Sequence, residues 1–398
     1  MEEPSEMEST AVPTMQSDSD NDGPVSSLAF EEVRTRQELA ELSDGTESPL
    51  ADILRTTLDD SADHDERRAY IGRNARGIVL VAPCMKQTLR LPVKLGEKVL
   101  WRIPLPSLRM LPAAQLGVRS QRDAQELLQW LRASRPKLAI VFTDLMTDTP
   151  LHAAVAEAQA LGYRVTNNEA APHLFHTFKA SYEEFFREKS SKYKNQLRKK
   201  EKVFRERFGS AYVIKEYRKA ADVQEFLDAA DLINKKTYQY KLFGEAVDNG
   251  PESTQRYCRL ANEGAFRSFV LWHEAIPLCF ILGRQGRDGV FQHQITGYDP
   301  DWREYAPGIN CNILMLQKLY ESDRPVVLDF GSGDADYKRL FTNTQKLSAS
   351  PILIPRNFGY AFAFLIHRSS VRFNELAVAA LVRIGAKDRI KRLLRRLP

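Results

Sequence analysis

Val326–Phe341 reads VVLDFGSGDADYKRLF, and its local order decides what kind of fold the rest of the chain must supply. Val326, Val327 and Leu328 form an apolar run suited to a buried strand, and Gly331, Ser332 and Gly333 enforce a turn. Asp336 onward reads as a helix, with Asp334, Asp336, Tyr337 and Lys338 around its first turn. A strand that passes through glycines into a helix bearing ionisable groups puts chemistry at a sheet edge. Asp329 ends the buried-looking strand, so it is expected to be hydrogen-bonded or functional rather than free. Asp334 is a candidate both for chemistry and for the helix N-cap.

Upstream, the pattern changes to hairpins. Ala265–Trp272, Ile276–Gln285 and Val290–Tyr298 read as an antiparallel meander with turns at His273–Ala275 and Gly286–Gly289. Tyr305–Gly308 then leads into a helix, Ile309–Tyr320, with Ile313, Leu316 and Leu319 facing inward. The third meander strand, this helix and the Val326 strand make a right-handed crossover between parallel strands. Because the helix begins at a Pro-Gly turn, its first backbone N–H groups and its positive dipole end are left free at the strand edge, an arrangement suited to a pyrophosphate. His293 alternates with Phe291 and Ile295 on one strand face, the pattern of a satisfied core histidine that could also meet a substrate. Before the meander come a strand at Tyr212–Tyr217 and a helix at Ala221–Lys236 with Val223, Phe226, Leu227, Ala230 and Ile233 inward. An aromatic exit follows, Thr237–Gly244 with Tyr238 and Tyr240, and then a helix at Thr254–Asn262.

The 398 residues carry a net charge of +5 that hides a division. Residues 1–66 hold 19 Asp and Glu against Arg34, Arg36 and Arg55, a balance of −16, which leaves +21 for the remainder. An acidic leader of low hydrophobicity without periodicity is expected to be disordered. It lacks the basic start and apolar centre of a secretion signal, and no run approaches the ~20 apolar residues that span a bilayer, so a cytoplasmic location is expected. The four cysteines, Cys84, Cys258, Cys279 and Cys311, show no metal-type or paired spacing and suit a reducing compartment.

Residues 76–178 read as a mixed α/β unit. Gly77–Cys84, Thr88–Val93 and Val99–Ile103 look like short strands, followed by a helix at Ala124–Leu131, a strand at Leu138–Phe142, a helix at Leu151–Leu161 and a strand at Tyr163–Val165. His173 and His176 lack a third ligand, so no metal is expected. Residues 179–209 form a basic amphipathic helix in which Lys192, Lys194, Arg198, Lys199, Lys200 and Lys202 crowd the middle, and it is expected to join the first unit to a second at 210–370. Its charge suits a solvated linker, an anionic substrate or RNA. In 371–398 a further helix places Ile390, Leu393, Leu394 and Leu397 on one stripe amid Lys387, Arg389, Lys391, Arg392, Arg395 and Arg396. That stripe suits packing on the domain, or peripheral attachment to an anionic membrane surface.

Two resemblances arise. VLDFGSG is similar to the glycine-rich motif of S-adenosylmethionine-dependent methyltransferases, but that motif opens a doubly wound sheet, and only 57 residues follow Phe341. The better match is wider. SKYKNQLRKKEKVF, TYQYKLFG, GYDPDWREYAPGINCNIL and DFGSGDADYKRLF together resemble the acetyltransferase domain of the GNAT superfamily, in the branch related to the cellulose-biosynthesis CelD/BcsL proteins and to FemAB-type aminoacyl transferases. The resemblance covers about residues 179–345, and the preceding unit fits a degenerate first half of a tandem GNAT-like N-acyltransferase fold of mixed α/β class. It implies a co-substrate, acetyl-CoA or another acyl-CoA, admitted between two splayed strands. Arg303, Pro307, Gly308, Ile309 and Asn310 would hold the cofactor end. Tyr337, Lys338 and Asp334 would serve catalysis, and Tyr238, Tyr240, His293 and Asp329 would line the acceptor side. The acceptor implied is a small-molecule or envelope-linked amine, as in envelope or polysaccharide metabolism. Where the superfamily has Q/R-x-x-G-x-G/A, this chain has Arg303-Glu304-Tyr305-Ala306-Pro307-Gly308, with a single glycine. That departure leaves open an aminoacyl-tRNA donor held by the basic helix, and a non-catalytic binding protein of the same fold.

Overall fold

The structure is a computed structural model that describes residues 28–34, 67–75, 77–95, 98–236, 249–286 and 288–383, and the single positions 38, 50, 53 and 247. The chain forms two compact units, one from Ala171–Lys346 and one from Met15–Ala170 with Leu347–Pro398. Both are mixed α/β, and each sheet contains a parallel strand pair beside antiparallel ones.

In the second of these units the strand order is Ala29–Val33, Arg67–Asn74, Gly77–Leu95, Lys98–Met110, Ala139–Val141, Ile352–Pro355, Tyr163–Thr166. The Gln121–Ser134 helix covers it with Leu127, Leu128 and Leu131, which bury against Tyr70, Leu108 and Ile140. Within the acidic leader, Ala29–Val33 pairs antiparallel with Arg67–Asn74 and Val33 is fully buried. Glu32 makes this edge strand worthwhile, taking Arg68 at 2.5 Å and Arg135 at 2.6 Å. The short strands expected at 77–103 are two long ones, Gly77–Leu95 and Lys98–Met110, because Lys86, Thr88 and Arg90 all fall on the exposed alternate positions. The expected Leu151–Leu161 helix stops early, as Pro150–Ala156. Near the C-terminus a helix starts at Phe358, not Val371, and runs to Arg383; the basic stripe at 387–397 lies outside the described residues.

In the Ala171–Lys346 unit the order is Ala171–Thr177, Val327–Ser332, Val290–Tyr298, Ile276–Gln285, Ser268–His273, Tyr212–Tyr217. The three-strand meander and the strand–helix–parallel strand crossover stand as read from the pattern. The boundary falls at 170/171 rather than 178/179, because Ala171–Thr177 pairs with Val327–Ser332 (Val327↔Thr177, Leu328↔His176, Asp329↔Phe175). Nor does the basic segment connect the units. It breaks at extended Lys189 into Tyr182–Glu188 and Ser191–Phe208, and the longer helix sinks Leu197, Phe204 and Phe208 into the same core as Phe269, Phe291, Leu316 and Phe330. Each such aromatic buried contributes roughly 2–3 kcal/mol, enough to hold a highly charged helix against the sheet.

Candidate active site

The site forms where the parallel pair comes apart. Val290–Tyr298 and Val327–Ser332 are in register at Val290↔Val327, Phe291↔Leu328 and Gln292↔Asp329, and no further. At that point Gln294 is an extra residue opposite Ile276–Gln285, between the pairs Leu282↔Ile295 and Gly283↔His293. Such a bulge twists the strand away from its neighbour. Gly283 is required beneath it, since a Cβ there would lie 2.4 Å from the Phe291 ring. On the other side the register of Val327–Ser332 shifts between Asp329 and Ser332, which pairs with His173. The two strands thus lean toward opposite neighbours and leave a wedge with an unpaired edge.

Beside the wedge, the Pro307–Glu321 helix begins without a side-chain cap. Its approach is pinned at several places. Asp299 is buried and takes Lys236 at 2.6 Å, Arg207 stacks over Trp302 at 5.3 Å and Tyr305 at 5.8 Å, and Ala306 sits in the left-handed region at φ 51°. A non-glycine residue held there stores strain on the order of 1 kcal/mol. The backbone N–H groups of Ile309 and Asn310 both donate to Ala306 O, while that of Gly308 has no acceptor among the described residues. A Cβ on Gly308 would meet only the Tyr298 ring, at 3.5 Å. Packing therefore does not require glycine there, although an approaching ligand would. Arg303 is exposed in this loop. Asn310 is buried, and its amide donates to Ala306 O (3.0 Å), Tyr305 O (3.3 Å) and Lys200 O (3.4 Å), which fastens the loop to the basic helix.

Within the wedge, His293 is 7% exposed and stacked on Phe330 at 5.0 Å. Burial lowers its pKa to about 4, helped by the Lys338 charge and opposed by Asn312, so the ring is neutral. Asn312 donates to Gly308 O at 2.9 Å, and neither its Oδ1 nor His293 Nε2 completes a hydrogen bond among the described residues. At the glycine turn, Asp329 accepts from Gly331 N (2.7 Å) and lies 2.6 Å from His173 Nε2. Lys338 Nζ donates to Ser332 O at 2.8 Å and Gly331 O at 3.4 Å, bracing the turn. Tyr337 is half-buried, and burial raises its hydroxyl above the usual tyrosine range. Asp334 is exposed and takes Arg339 on both oxygens, at 2.5 and 2.6 Å; the residue before the Asp336–Phe341 helix is Ala335, with no side-chain cap. Lys189 supports that helix from below through Thr342 O and Arg339 O at 3.3 Å, its pKa lowered to about 8 by burial.

The structure thus groups His293, Asp329, Tyr337 and Lys338 around the turn, and Arg303, Pro307, Gly308, Ile309 and Asn310 around the helix start. Tyr238 and Tyr240 lie outside the described residues. Sequence reading missed Asn312 and His173. The three-residue spacing of His173 and His176 on a strand puts them on opposite faces, which separates their roles. His176 meets Phe341 O and Tyr320 Oη instead, its pKa lowered to about 3 by burial. Among the described residues no group of three or more His, Cys, Asp or Glu is placed to hold a metal.

Residues 191–339 match the family model described as Acetyltransferase (GNAT) domain. No curated protein matches the chain. Among solved structures, the chain is similar to a tandem GNAT protein from the clavulanic acid biosynthesis pathway at 11% identity, over 83% of this chain and 99% of that one, with a TM-score of 0.48. It is similar also to the C-terminal domain of a putative lysylphosphatidylglycerol synthetase from Agrobacterium fabrum (12%, 80% and 96%, TM-score 0.45) and to a GCN5-related N-acetyltransferase from Sphaerobacter thermophilus (10%, 81% and 95%, TM-score 0.38).

Proposed function

We propose that the chain is an N-acyltransferase that moves an acyl group, acetyl the simplest, from acyl-CoA to an amine, and that Ala171–Lys346 holds the reaction. The observation that carries this reading is the parting of the strands after Gln292↔Asp329 beside a helix start whose Gly308 N–H is unspent. The Gly308 N–H is the free backbone donor for the pyrophosphate, Pro307 and Ile309 shape the turn that presents it, and exposed Arg303 adds charge. The unpaired edge from His293 to Thr296 offers donors to the acyl arm and the thioester carbonyl. The acceptor nitrogen enters neutral, its bond to the acyl carbon forms as the carbon–sulfur bond breaks, it releases one proton to solvent, and the leaving thiolate takes one. Tyr337, kept protonated by burial, is suited to supply that second proton. Neutral His293 and Asn312 supply the polar lining, and Asp329 with His173 and Lys338 fixes the turn that carries Tyr337. The resemblance to CelD/BcsL proteins supports a small or envelope-linked amine, with the other unit as a degenerate partner. Ser191–Phe208 exposes Lys192, Arg198, Lys199 and Lys202, the one observation that favours a charged-tRNA donor instead.

Calorimetric titration of the full-length protein tests this. Acetyl-CoA is expected to bind the wild type and not Gly308→Val, whose melting temperature should match because only Tyr298 is met by the added carbon. Equal affinity in a folded Gly308→Val protein overturns the placement. A response to charged tRNA alone moves the assignment to aminoacyl transfer, and binding without turnover on any amine moves it to a binding protein.

A further inference from the structure

The Phe358–Arg383 helix carries two apolar faces where its own fold needs one. The inner face packs Tyr360, Ala363 and Phe364 on Leu91, Leu105, Ala139 and Ile354. It is pinned by Tyr360 Oη, which donates to Pro106 O (2.6 Å) and Lys137 O (2.9 Å), and by His367 Nδ1, 2.7 Å from Pro92 O. The outer face presents Phe358 (87% exposed), Phe362 (55%), Leu365 (62%), Phe373 (57%) and Leu376 (71%). Their spacing follows the helical repeat, so they form one stripe. Isolated exposed apolar residues are ordinary, but five on one helix face, with exposed Ser369 and Arg372 between Leu365 and Phe373, mark an interaction surface. Beside it lies a groove of about 770 Å³ lined by Trp101, Ile103, Leu105 and Phe362, with Arg132 and Lys137 among its walls and no acidic residue. Trp101 and its neighbour Leu100 are themselves half exposed.

We propose that this face docks on an anionic phospholipid surface, with the aromatic stripe set into the headgroup boundary and the groove receiving an acyl chain under a phosphate held by Arg132 and Lys137. Charge chooses this occupant. Arg368 and Arg372 are exposed on the same helix, and the chain runs on through 384–398 with Lys387, Arg389, Lys391, Arg392, Arg395 and Arg396 against Asp388, a surplus of +5. A second copy would bring this surplus of positive charge against its own like, whereas an anionic bilayer neutralises it. No described helix is long and apolar enough to cross a membrane, so this one would lie along it.

The proposal is independent of the acyl-transfer reading, and its test keeps the two apart. The full-length protein is floated with vesicles of phosphatidylcholine alone and of phosphatidylcholine with one third phosphatidylglycerol, while acetyl-CoA binding is measured in parallel. Binding to the anionic vesicles only, weakened at least tenfold in Phe362→Asp/Leu365→Asp, is the expected result. If that variant melts early, Trp101 serves in its place: its emission should move to shorter wavelength on anionic vesicles, and the shift should be missing in Trp101→Phe. No binding to either vesicle overturns the proposal. So does binding that survives Phe362→Asp/Leu365→Asp and disappears only in Lys391→Glu/Arg395→Glu, and so does a wild-type dimer that this apolar-face variant converts to monomer.

Discussion

Each unit contains a run of strand, helix and parallel strand, and the two runs differ at the helix start and at the strand end. In one unit the run is Lys98–Met110, Gln121–Ser134 and Ala139–Val141; in the other it is Val290–Tyr298, Pro307–Glu321 and Val327–Ser332. The Gln121 helix is closed at its start. Ser120 Oγ accepts from Asp123 N at 3.0 Å, and Asp123 adds a carboxylate to the first turn. The Pro307 helix has neither a side-chain cap nor an acid in its first turn. The strands differ as well. Val327–Ser332 runs into Gly331 and Gly333 at positive φ and then a helix with Tyr337, whereas Ala139–Val141 is followed by Phe142, Thr143 and Asp144 without a glycine. Topology supplies the place for a site, and the residues at one helix start and one strand end decide whether it is used.

The largest effect expected from this contrast is on turnover. The Asp336–Phe341 helix, which carries Tyr337, has no counterpart directly after Ala139–Val141, so under the proposed function removal of one hydroxyl should cost most of the transfer rate. Tyr337→Phe should lower kcat by about 100-fold, in line with loss of a general acid, with acetyl-CoA affinity kept. Its melting temperature should also hold, because the Tyr337 hydroxyl makes no hydrogen bond among the described residues. An unchanged kcat for the transfer would remove Tyr337 from the chemistry and dull the comparison.

A smaller effect separates the units by pH. Burial lowers His293 from its ordinary 6.5 to about 4 and His176 to about 3, both in the Ala171–Lys346 unit, while in the other unit burial lowers His152, opposed by Asn168. Between pH 6.5 and 4 the unfolded chain therefore binds more protons than the folded one, so stability is complete above 6.5 and declines as the pH falls toward 4. For His293 the loss by pH 4.5 is about 2 kcal/mol. Amide exchange should quicken first around Val290–Tyr298 and Pro307–Glu321, and His293→Gln should flatten that response. Simultaneous opening of both units on acidification would show that the histidines do not set it.

What the sequence disclosed follows from the range of the interactions. The meander, the crossover and the glycine turn were legible because their periodicity changes from two to 3.6 within short, turn-bounded segments. The splaying of the strands was implied only by the family resemblance and its cause was not legible, since the Gln294 bulge depends on how Gly283 lets Phe291 approach, a contact that no local pattern encodes. Nor was Ala171–Thr177 beside Val327–Ser332, partners about 150 residues apart. Asn310 and Asn312 left a readable trace, two amides in an otherwise apolar helix start. Both are buried because their side chains return hydrogen bonds to backbone carbonyls, Asn310 to Ala306 O and Asn312 to Gly308 O. Glu32 with Arg68 and Arg135 is the local detail that the composition of the leader does not foretell, an ion cluster that pins the five-residue strand Ala29–Val33.

The smallest expected effect lies at the closed helix start, and it tests whether closure there is structural alone. Ser120→Ala removes the acceptor for Asp123 N, and loss of such a cap costs about 1 kcal/mol. Opening this start should not create a nucleotide site, because Asp123 keeps its charge in the first turn and the strand pair beside it stays in register at Ser107↔Ala139, Leu108↔Ile140 and Arg109↔Val141. Chemical denaturation should therefore show a slightly earlier midpoint, while calorimetry with acetyl-CoA returns the wild-type affinity and stoichiometry. The double change Ser120→Ala/Asp123→Asn presses the point further, since it leaves the start both uncapped and uncharged. Gain of a second equivalent of bound acetyl-CoA in that protein would mean that the helix start alone makes the site and that the splayed strands do not matter. An unchanged stoichiometry assigns the difference between the units to the wedge.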